Sequence, residues 1–443
     1  MDFEQWVAWA REEEGIAFVV LGHSSGKQIA LVVKGTSTKN YFKLAKDIAF
    51  SFTPRGSAFL VGLDVLSRDF DSIKAKRIGV ITNHTAKDRK GVFIIDLLPD
   101  LGSEIGAIFA PEHGLTGKKE PGTALKDATF KGIPVKSLYG KRKKPAVEDL
   151  KRLDILIYDI QDVACRFYTY VSTMLMCLEQ TSKAKLPFFV LDRPCLRGGS
   201  CVEGPPLDPS LRSFVGYVPV PASYAMTPGE LAKMALGERW IDVTENVLTV
   251  VPLENWRRGK TNLYQPDFVP PSPNLPNYQS VLAYPGTCLL EATNVNEGRG
   301  TFFPFTTLGA PYIIGADLSK ALNRSGFIKG AVFTPTRFVP RSIKGMVKKP
   351  KYQGICCEGV ALTVVDPARF RPFRTALYLL NRIGSFYPKD FCFKVEAFQK
   401  LSGSKDLHLR ILSAEDPDRM LLPYRESLKN FLEKRERYLL YSF

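Results

Sequence analysis

IGAIFAPEHG, at residues 105–114, is an apolar run that ends on a proline and then presents a carboxylate, an imidazole and a glycine. The run is too short for a helix, and its composition predicts a buried strand that leads into a loop. Glu112 is therefore a candidate site residue. Taken alone, the segment is more typical of a surface turn in which Glu112 and His113 face water.

The same arrangement recurs along the chain. Apolar strands are predicted at 77–82, 155–158 and 188–191, with helical segments between them. These strands end in polar residues, namely Asn83, His84, Asp159, Asp162, Asp192 and Arg193. Alternating strands and helices predict a parallel sheet covered on both faces, and ligands bind beyond the carboxyl ends of such strands. Together with Glu112 and His113, these residues predict a site at one edge of the sheet.

The 443 residues are predicted to form an α/β fold with two main domains. A Rossmann-like parallel-sheet domain is assigned to 56–218 and an α+β auxiliary domain to 219–443, while residues 1–55 are an extension with a hairpin. The auxiliary domain opens with a capping box, Thr227-Pro228-Gly229-Glu230. Because the first strand is not followed by G-x-G-x-x-G, we expect no nicotinamide cofactor.

A glycine-rich loop at 291–301 carries Asn294, Glu297 and Arg299. It is typical of a turn with an internal Glu–Arg pair and equally typical of a ligand loop. The sequence leaves both interpretations open.

Composition narrows the classes of partner. The formal charge of +16 favours anionic partners, although the run Lys141-Arg142-Lys143-Lys144 by itself predicts a solvated loop. The sequence carries no nucleic-acid-binding module, and no apolar run approaches the ~20 residues that a membrane span requires. The acidic amino terminus and eight scattered cysteines predict a cytoplasmic protein, or a periplasmic or extracellular one if a leader is missing. The sequence does not indicate an oligomeric state.

Carboxylates on converging loops favour glycoside hydrolysis, in which one carboxyl group protonates the leaving oxygen and a second group assists. A metal hydrolase built from His84, His113, Asp159 and Asp162 is a weaker alternative, because no i, i+4 histidine pair is present. A serine esterase is a further alternative, since Ser24 lies in a G-x-S-x-G motif. The β-rich residues after Ser24 argue against the helix that this motif requires.

A series of motifs extends from about residue 60 to the end of the chain. In order they are GLDVL (62–66), ITNHT (81–85), APEHG (110–114), SLYG (137–140), DIQDV (159–163), RFYTYVSTM (166–174), LDRP (191–194), VEGP (202–205), RSFVGY (212–217), PSPN (271–274), YPG (284–286), TNVNEGRGT (293–301) and YLLY (438–441). With these motifs the chain resembles the exo-β-N-acetylmuramidase family of the NamZ type, formerly a bacterial domain of unknown function.

This resemblance implies a cofactor-free and metal-free enzyme that releases N-acetylmuramic acid from the non-reducing end of peptidoglycan fragments. Its partner would be a peptidoglycan-derived sugar or muropeptide, bound in a cleft between the two domains. Glu112 would be the general acid, with Glu297 or the Asp159/Asp162 pair as its counterpart. The residues that would bind substrate are Asn83, His113, Arg166, Tyr168, Asp192, Arg193, Asn294 and Arg299.

The chain also departs from the family pattern at Cys195, Tyr224 and Thr306. If these positions contact sugar, the protein could instead be a non-catalytic cell-wall glycan-binding protein of the same fold. Turnover of a muramide separates these two functions.

Overall fold

The computed structural model describes residues 59–117, 127–140, 142–259, 268–413 and 416–443, together with strands β1 (Ile16–Ser24) and β2 (Lys27–Lys34). These two strands form the antiparallel hairpin that the sequence predicted. The rest of the predicted extension lies outside the described residues.

A seven-stranded sheet forms the centre of the first domain. Its strands are β3 (Arg77–Thr82), β4 (Glu104–Ala110), β5 (Ala128–Phe130), β6 (Ile133–Ser137), β7 (Ile155–Asp159), β8 (Phe188–Leu191) and β9 (Leu248–Val251). Their order is β5-β6-β4-β3-β7-β8-β9, and all neighbours are parallel except β5 and β6. This sheet confirms the predicted fold class.

Both faces of this sheet are covered, as its continuous apolar strands require. In β7, Leu156 and Tyr158 belong to one buried cluster, whereas Ile155 and Ile157 belong to a second cluster on the opposite face. The second face is covered by α1 (Gly62–Arg68) and α2 (Ile94–Asp100). A short helix, α3 (Val147–Leu150), precedes β7, and α4 (Tyr170–Lys183) and α5 (Pro228–Gly237) cover the first face.

The first sheet extends beyond residue 218, where the sequence placed the domain boundary. Its outermost strand is β9, and α5 is the helix that connects β8 to β9. The predicted capping box is confirmed at the start of α5. There the Glu230 amide donates to Thr227 Oγ1 at 3.3 Å, and the Thr227 amide donates to Glu230 Oε2 at 3.0 Å.

The auxiliary domain is built on a three-stranded antiparallel sheet. It comprises β10 (Thr307–Ala310), β11 (Ala331–Phe338) and β12 (Cys357–Val364), in the order β10-β12-β11. The helices around it are α6 (Tyr278–Thr287), α7 (Gly315–Asn323), α8 (Pro372–Phe386), α9 (Val395–Ser402), α10 (Leu407–Ser413), α11 (Pro417–Leu421) and α12 (Arg425–Glu436). None of the helices in the described residues has the length and apolar composition that crossing a bilayer requires.

Candidate active site

The predicted site residues follow four neighbouring parallel strands. β4, β3, β7 and β8 are consecutive in the sheet, so the residues after them emerge at the same edge. Glu112 and His113 follow β4, Asn83 follows β3, and Asp162 follows β7 by three residues. The sheet therefore brings together the polar clusters that the sequence placed at strand ends.

Glu112 is the half-buried carboxylate of this group. Its Oε2 accepts a hydrogen bond from Thr169 Oγ1 at 3.0 Å, and its carbonyl oxygen lies 3.5 Å from the Tyr170 hydroxyl. Thr169 immediately precedes α4, so this helix and β4 together fix the orientation of the carboxyl group. The other carboxylates predicted at the site, Asp159, Asp162, Asp192 and Glu297, are all buried.

A sharp turn follows Glu112. His113 and Gly114 have φ angles of 69° and 70°, and two successive residues in the left-handed region reverse the direction of the chain. The His113 ring is buried, and its Nε2 lies 3.4 Å from Ser272 Oγ. The predicted proline-rich loop at 270–277 thus forms one wall of the site.

The same loop contacts two other side chains of the site. Tyr168 donates its hydroxyl hydrogen to the Pro271 carbonyl at 2.8 Å, and His84 Nε2 lies 2.8 Å from the Pro270 carbonyl. Burial lowers the pKa of His84, which favours the neutral imidazole. These contacts hold the loop against the carboxyl edge of the sheet.

Asp159 and Arg193 form a buried bidentate ion pair. Arg193 Nε and Nη2 lie 2.6 and 2.8 Å from the two Asp159 oxygens, and Arg193 Nη1 donates to the Lys87 carbonyl at 2.8 Å. Burial raises the pKa of Asp159, and the guanidinium opposes that rise. Both residues are therefore committed to joining the ends of β7 and β8.

Asp162 is a buried carboxyl group with one unused oxygen. Its Oδ1 accepts hydrogen bonds from the Ala164 amide at 2.6 Å and the Tyr224 hydroxyl at 3.0 Å, but Oδ2 has no partner among the described residues. Burial raises the pKa of Asp162 to about 7. Asp162 can therefore hold a proton near neutral pH.

Tyr168 and Tyr170 are electrostatically coupled to both carboxyl groups. Their rings contact edge to face, with centroids 4.7 Å apart. Burial raises the pKa of each tyrosine, and the charges of Glu112 and Asp162 raise it further. The tyrosine pair therefore lies within electrostatic reach of both carboxyl groups.

Asp192 bonds entirely within the protein. Its Oδ2 accepts from Thr227 Oγ1 at 2.6 Å and from the Tyr441 hydroxyl at 2.5 Å, and its Oδ1 accepts from the Gly229 amide at 2.8 Å. Burial raises the pKa of Asp192 to about 7. Its contacts tie β8 to the start of α5 and to the carboxyl-terminal segment.

Arg166 and Asn83 also bond internally. Arg166 is 2% exposed and donates to the carbonyls of Pro205, Val220 and Leu401 at 2.8, 2.7 and 2.9 Å. Asn83 is fully buried, and its Oδ1 accepts from the Thr85 amide and hydroxyl at 2.9 and 2.6 Å. These contacts connect loops of the fold, and their assignment as substrate ligands stays a prediction.

The loop at 291–301 contains the internal Glu–Arg pairs that the sequence suggested. Arg299 Nη2 lies 2.6 Å from Glu291 Oε1, and Arg299 Nε lies 3.4 Å from Glu297 Oε1. Glu297 Oε2 also accepts from Lys351 Nζ at 2.9 Å. Asn294 holds the neighbouring chain by donating to the Asp390 carbonyl at 2.6 Å.

A ladder of aromatic rings connects this loop to the tyrosine pair. The Arg299 guanidinium lies 5.3 Å from the centre of the Phe305 ring. Ring centres are 4.8 Å apart for Phe305 and Tyr284, and 5.9 Å apart for Tyr284 and Tyr168. The packing of these rings couples the two sides of the predicted cleft.

The structure adds residues that the sequence did not assign to the site, namely Thr169, Tyr170, Ser272, Tyr224 and Lys143. Thr169 and Tyr170 lie within the RFYTYVSTM motif, which could have identified them. Lys143 lies in the run predicted to be a solvated loop. The structure instead packs its ammonium group against aromatic rings.

Two alternative chemistries lose their structural basis. Ser24 pairs with Lys27 in the β1–β2 hairpin, so the strand-to-helix turn of a nucleophile elbow is not formed there. Among the described residues, no three His, Cys, Asp or Glu side chains are grouped closely enough to hold a metal ion. In particular, Asp159 already binds Arg193 through both oxygens.

The departures from the family pattern have identifiable contacts. Cys195 Sγ donates to the Met226 carbonyl at 3.2 Å, and Thr306 Oγ1 donates to the Phe303 carbonyl at 3.2 Å. Tyr224 contacts Asp162 directly. Of these three contacts, the one made by Tyr224 therefore reaches a predicted catalytic residue.

Comparisons with known proteins give the family. A family model for the N-terminal part of the exo-β-N-acetylmuramidase NamZ matches residues 78–279, and a model for the C-terminal part matches residues 282–441. The chain belongs to the NamZ exo-β-N-acetylmuramidase family. This membership confirms the resemblance inferred from the sequence motifs.

The family relatives match almost the whole described chain. The peptidoglycan β-N-acetylmuramidase NamZ of Bacillus subtilis (strain 168) is 40% identical over 393 residues, which are 86% of this chain and 91% of that protein. Crystal structures of two DUF1343 family proteins from Bacteroides fragilis NCTC 9343 have TM-scores of 0.78 and 0.71, at 30% and 32% identity. Each match covers 87% of this chain and 99% of the other chain.

Proposed function

We propose that the protein is an exo-β-N-acetylmuramidase that releases N-acetylmuramic acid from the non-reducing end of peptidoglycan fragments. The observation that carries this proposal is the placement of Glu112, a half-buried carboxyl group at the strand edge and oriented by Thr169. The 40% identical relative from Bacillus subtilis supports the choice of substrate. The cytoplasmic location predicted from the amino terminus stays a prediction.

In this reaction Glu112 acts as the general acid. Its carboxyl group donates a proton to the glycosidic oxygen, which leaves as a hydroxyl group of the remaining glycan. Water supplies the hydroxyl group that the anomeric carbon of the released sugar gains. The hydrogen bond from Thr169 restricts the carboxyl group to one orientation, which reduces the entropy lost on reaching the transition state.

The contacts of the other carboxylates separate their roles. Asp159 is bound by Arg193 through both oxygens, and Glu297 is held between Lys351 and Arg299. Both side chains are therefore occupied by cations. Asp162 retains an oxygen without a partner among the described residues, so we assign it as the counterpart of Glu112.

The test is turnover of a chromogenic β-N-acetylmuramide, with the matching N-acetylglucosaminide as the control substrate. Glu112→Gln should lower kcat/KM for the muramide by about 10²- to 10⁴-fold, the usual contribution of a general acid. Glu104→Gln is the matched control, because Glu104 lies at the opposite end of β4, exposed and paired with Arg77. It should leave turnover near that of the wild type.

Near-normal turnover by Glu112→Gln would contradict the assignment of the general acid. Binding of muramyl fragments by the wild type, with no release of chromophore, would instead support the glycan-binding alternative. Release from the glucosaminide at an equal rate would contradict the proposed substrate class.

A further inference from the structure

Lys143 is held between two aromatic rings at the same edge of the sheet as Glu112. Its loop follows β6, which is the neighbour of β4 in the sheet. The ammonium nitrogen lies 4.3 Å from the centre of the Tyr139 ring and 4.0 Å from the centre of the Phe214 ring. These are cation–π contacts, and they restrict where the side chain can point.

The charge of Lys143 differs from that of its neighbour in how it is balanced. Arg142 pairs with Asp127 and Asp149, each at 3.4 Å. Lys143 forms no salt bridge with any carboxylate of the described residues, for which the limit is 4.0 Å. Burial lowers the pKa of Lys143, and the charge of Glu112 raises it. The cation is thus partly desolvated and lies within electrostatic reach of the proposed general acid.

We infer that Lys143 binds the lactyl carboxylate of the substrate and thereby selects muramic-acid sugars over uncharged N-acetylhexosamines. This inference rests on the proposed function. N-acetylmuramic acid differs from N-acetylglucosamine by a lactyl ether on O3, two ring carbons from the anomeric centre. A cation beside the residue that protonates the anomeric oxygen is therefore placed where this carboxylate arrives.

The physical advantage lies in preorganisation. The aromatic rings already hold the ammonium group, so little side-chain entropy is lost when the carboxylate binds. A sugar without the carboxylate leaves a partly desolvated cation with no counter-ion from the substrate. A site that pairs a buried polar group with its substrate rejects the analogue that lacks the partner.

The test measures binding of free N-acetylmuramic acid and its lactyl methyl ester by calorimetry. The wild type should bind the acid about 10- to 100-fold more tightly than the ester, the effect of one hydrogen bond to a charged group. Lys143→Met should bind both at the affinity of the ester, and Lys143→Arg should recover part of the preference. Lys144→Met is the matched control and should keep the wild-type ratio, with melting curves confirming that each variant is folded.

The inference is overturned if Lys143→Met keeps the wild-type ratio of affinities, or if the wild type binds acid and ester equally or not at all. A Lys143 that only adjusts the titration of Glu112 would shift the pH profile of turnover while leaving this ratio unchanged. Because binding is measured without turnover, absence of hydrolysis by the wild type would refute the proposed function separately.

Discussion

Replacing Asp162 by asparagine should change the pH dependence of stability. Burial raises the pKa of Asp162 from its ordinary value of 3.8 to about 7 in the folded protein. Between these two values the folded state keeps a proton that the unfolded state has lost, so wild-type stability falls as pH rises. The asparagine variant stays neutral and is free of this effect. Its amide oxygen can still accept from the Ala164 amide and the Tyr224 hydroxyl.

The magnitude follows from the linkage relation. The whole interval corresponds to roughly 4 kcal/mol, of which about 3 kcal/mol falls between pH 5 and pH 8. At roughly 2–4 °C per kcal/mol, the melting temperature of Asp162→Asn should gain about 6–12 °C relative to the wild type over this range. The gain should be complete once the pH exceeds the folded-state pKa.

The assay is thermal unfolding of both proteins at pH 5, 6, 7 and 8 and constant ionic strength. Burial also raises the pKa of Asp192 to about 7, but this residue is present in both proteins and cancels in the difference. A gap in melting temperature that stays constant across the range would refute the reasoning. It would mean that Asp162 is ionised in the folded protein or is reached by water.

Further predictions concern packing and ion pairing. Gly403→Ala should lower the melting temperature more than Gly354→Ala, since both glycines have positive φ angles (79° and 77°) but only at Gly403 would a Cβ clash, 2.3 Å from Arg166 Nη2. Equal losses would contradict the clash. Arg193→Met should destabilise the fold by about 3–5 kcal/mol in denaturant unfolding, because it leaves Asp159 buried without its partner. Adding Asp159→Asn should recover part of this loss, and no recovery would argue against the ion pair.

Much of the fold could be predicted from sequence because its signals are local. The apolar runs predicted β3 and β8 with the boundaries that the structure shows, and the capping box at Thr227 predicted the start of α5. Placing Glu112 at the carboxyl edge of the sheet required only that β4 be parallel to its neighbours. β5 and β6 were missed, since they are short and their burial pattern is irregular.

The roles of individual side chains could not be predicted in the same way. From sequence Asp159 resembles a catalytic carboxylate, yet Arg193, 34 positions away, binds both of its oxygens. Arg166 resembles a substrate ligand, yet it donates to the Leu401 carbonyl, 235 positions away. Lys143 lies in a run that predicts a solvated loop, yet it is held between two aromatic rings.

The sequence by itself determined the strands, the helix starts and the edge of the sheet at which polar residues collect, because backbone preferences and apolar periodicity act over a few neighbouring residues. The tertiary structure decided which charged groups are neutralised within the protein and which are left for a ligand. That outcome depends on partners brought together by the packing of distant segments, and on the burial that shifts their pKa values.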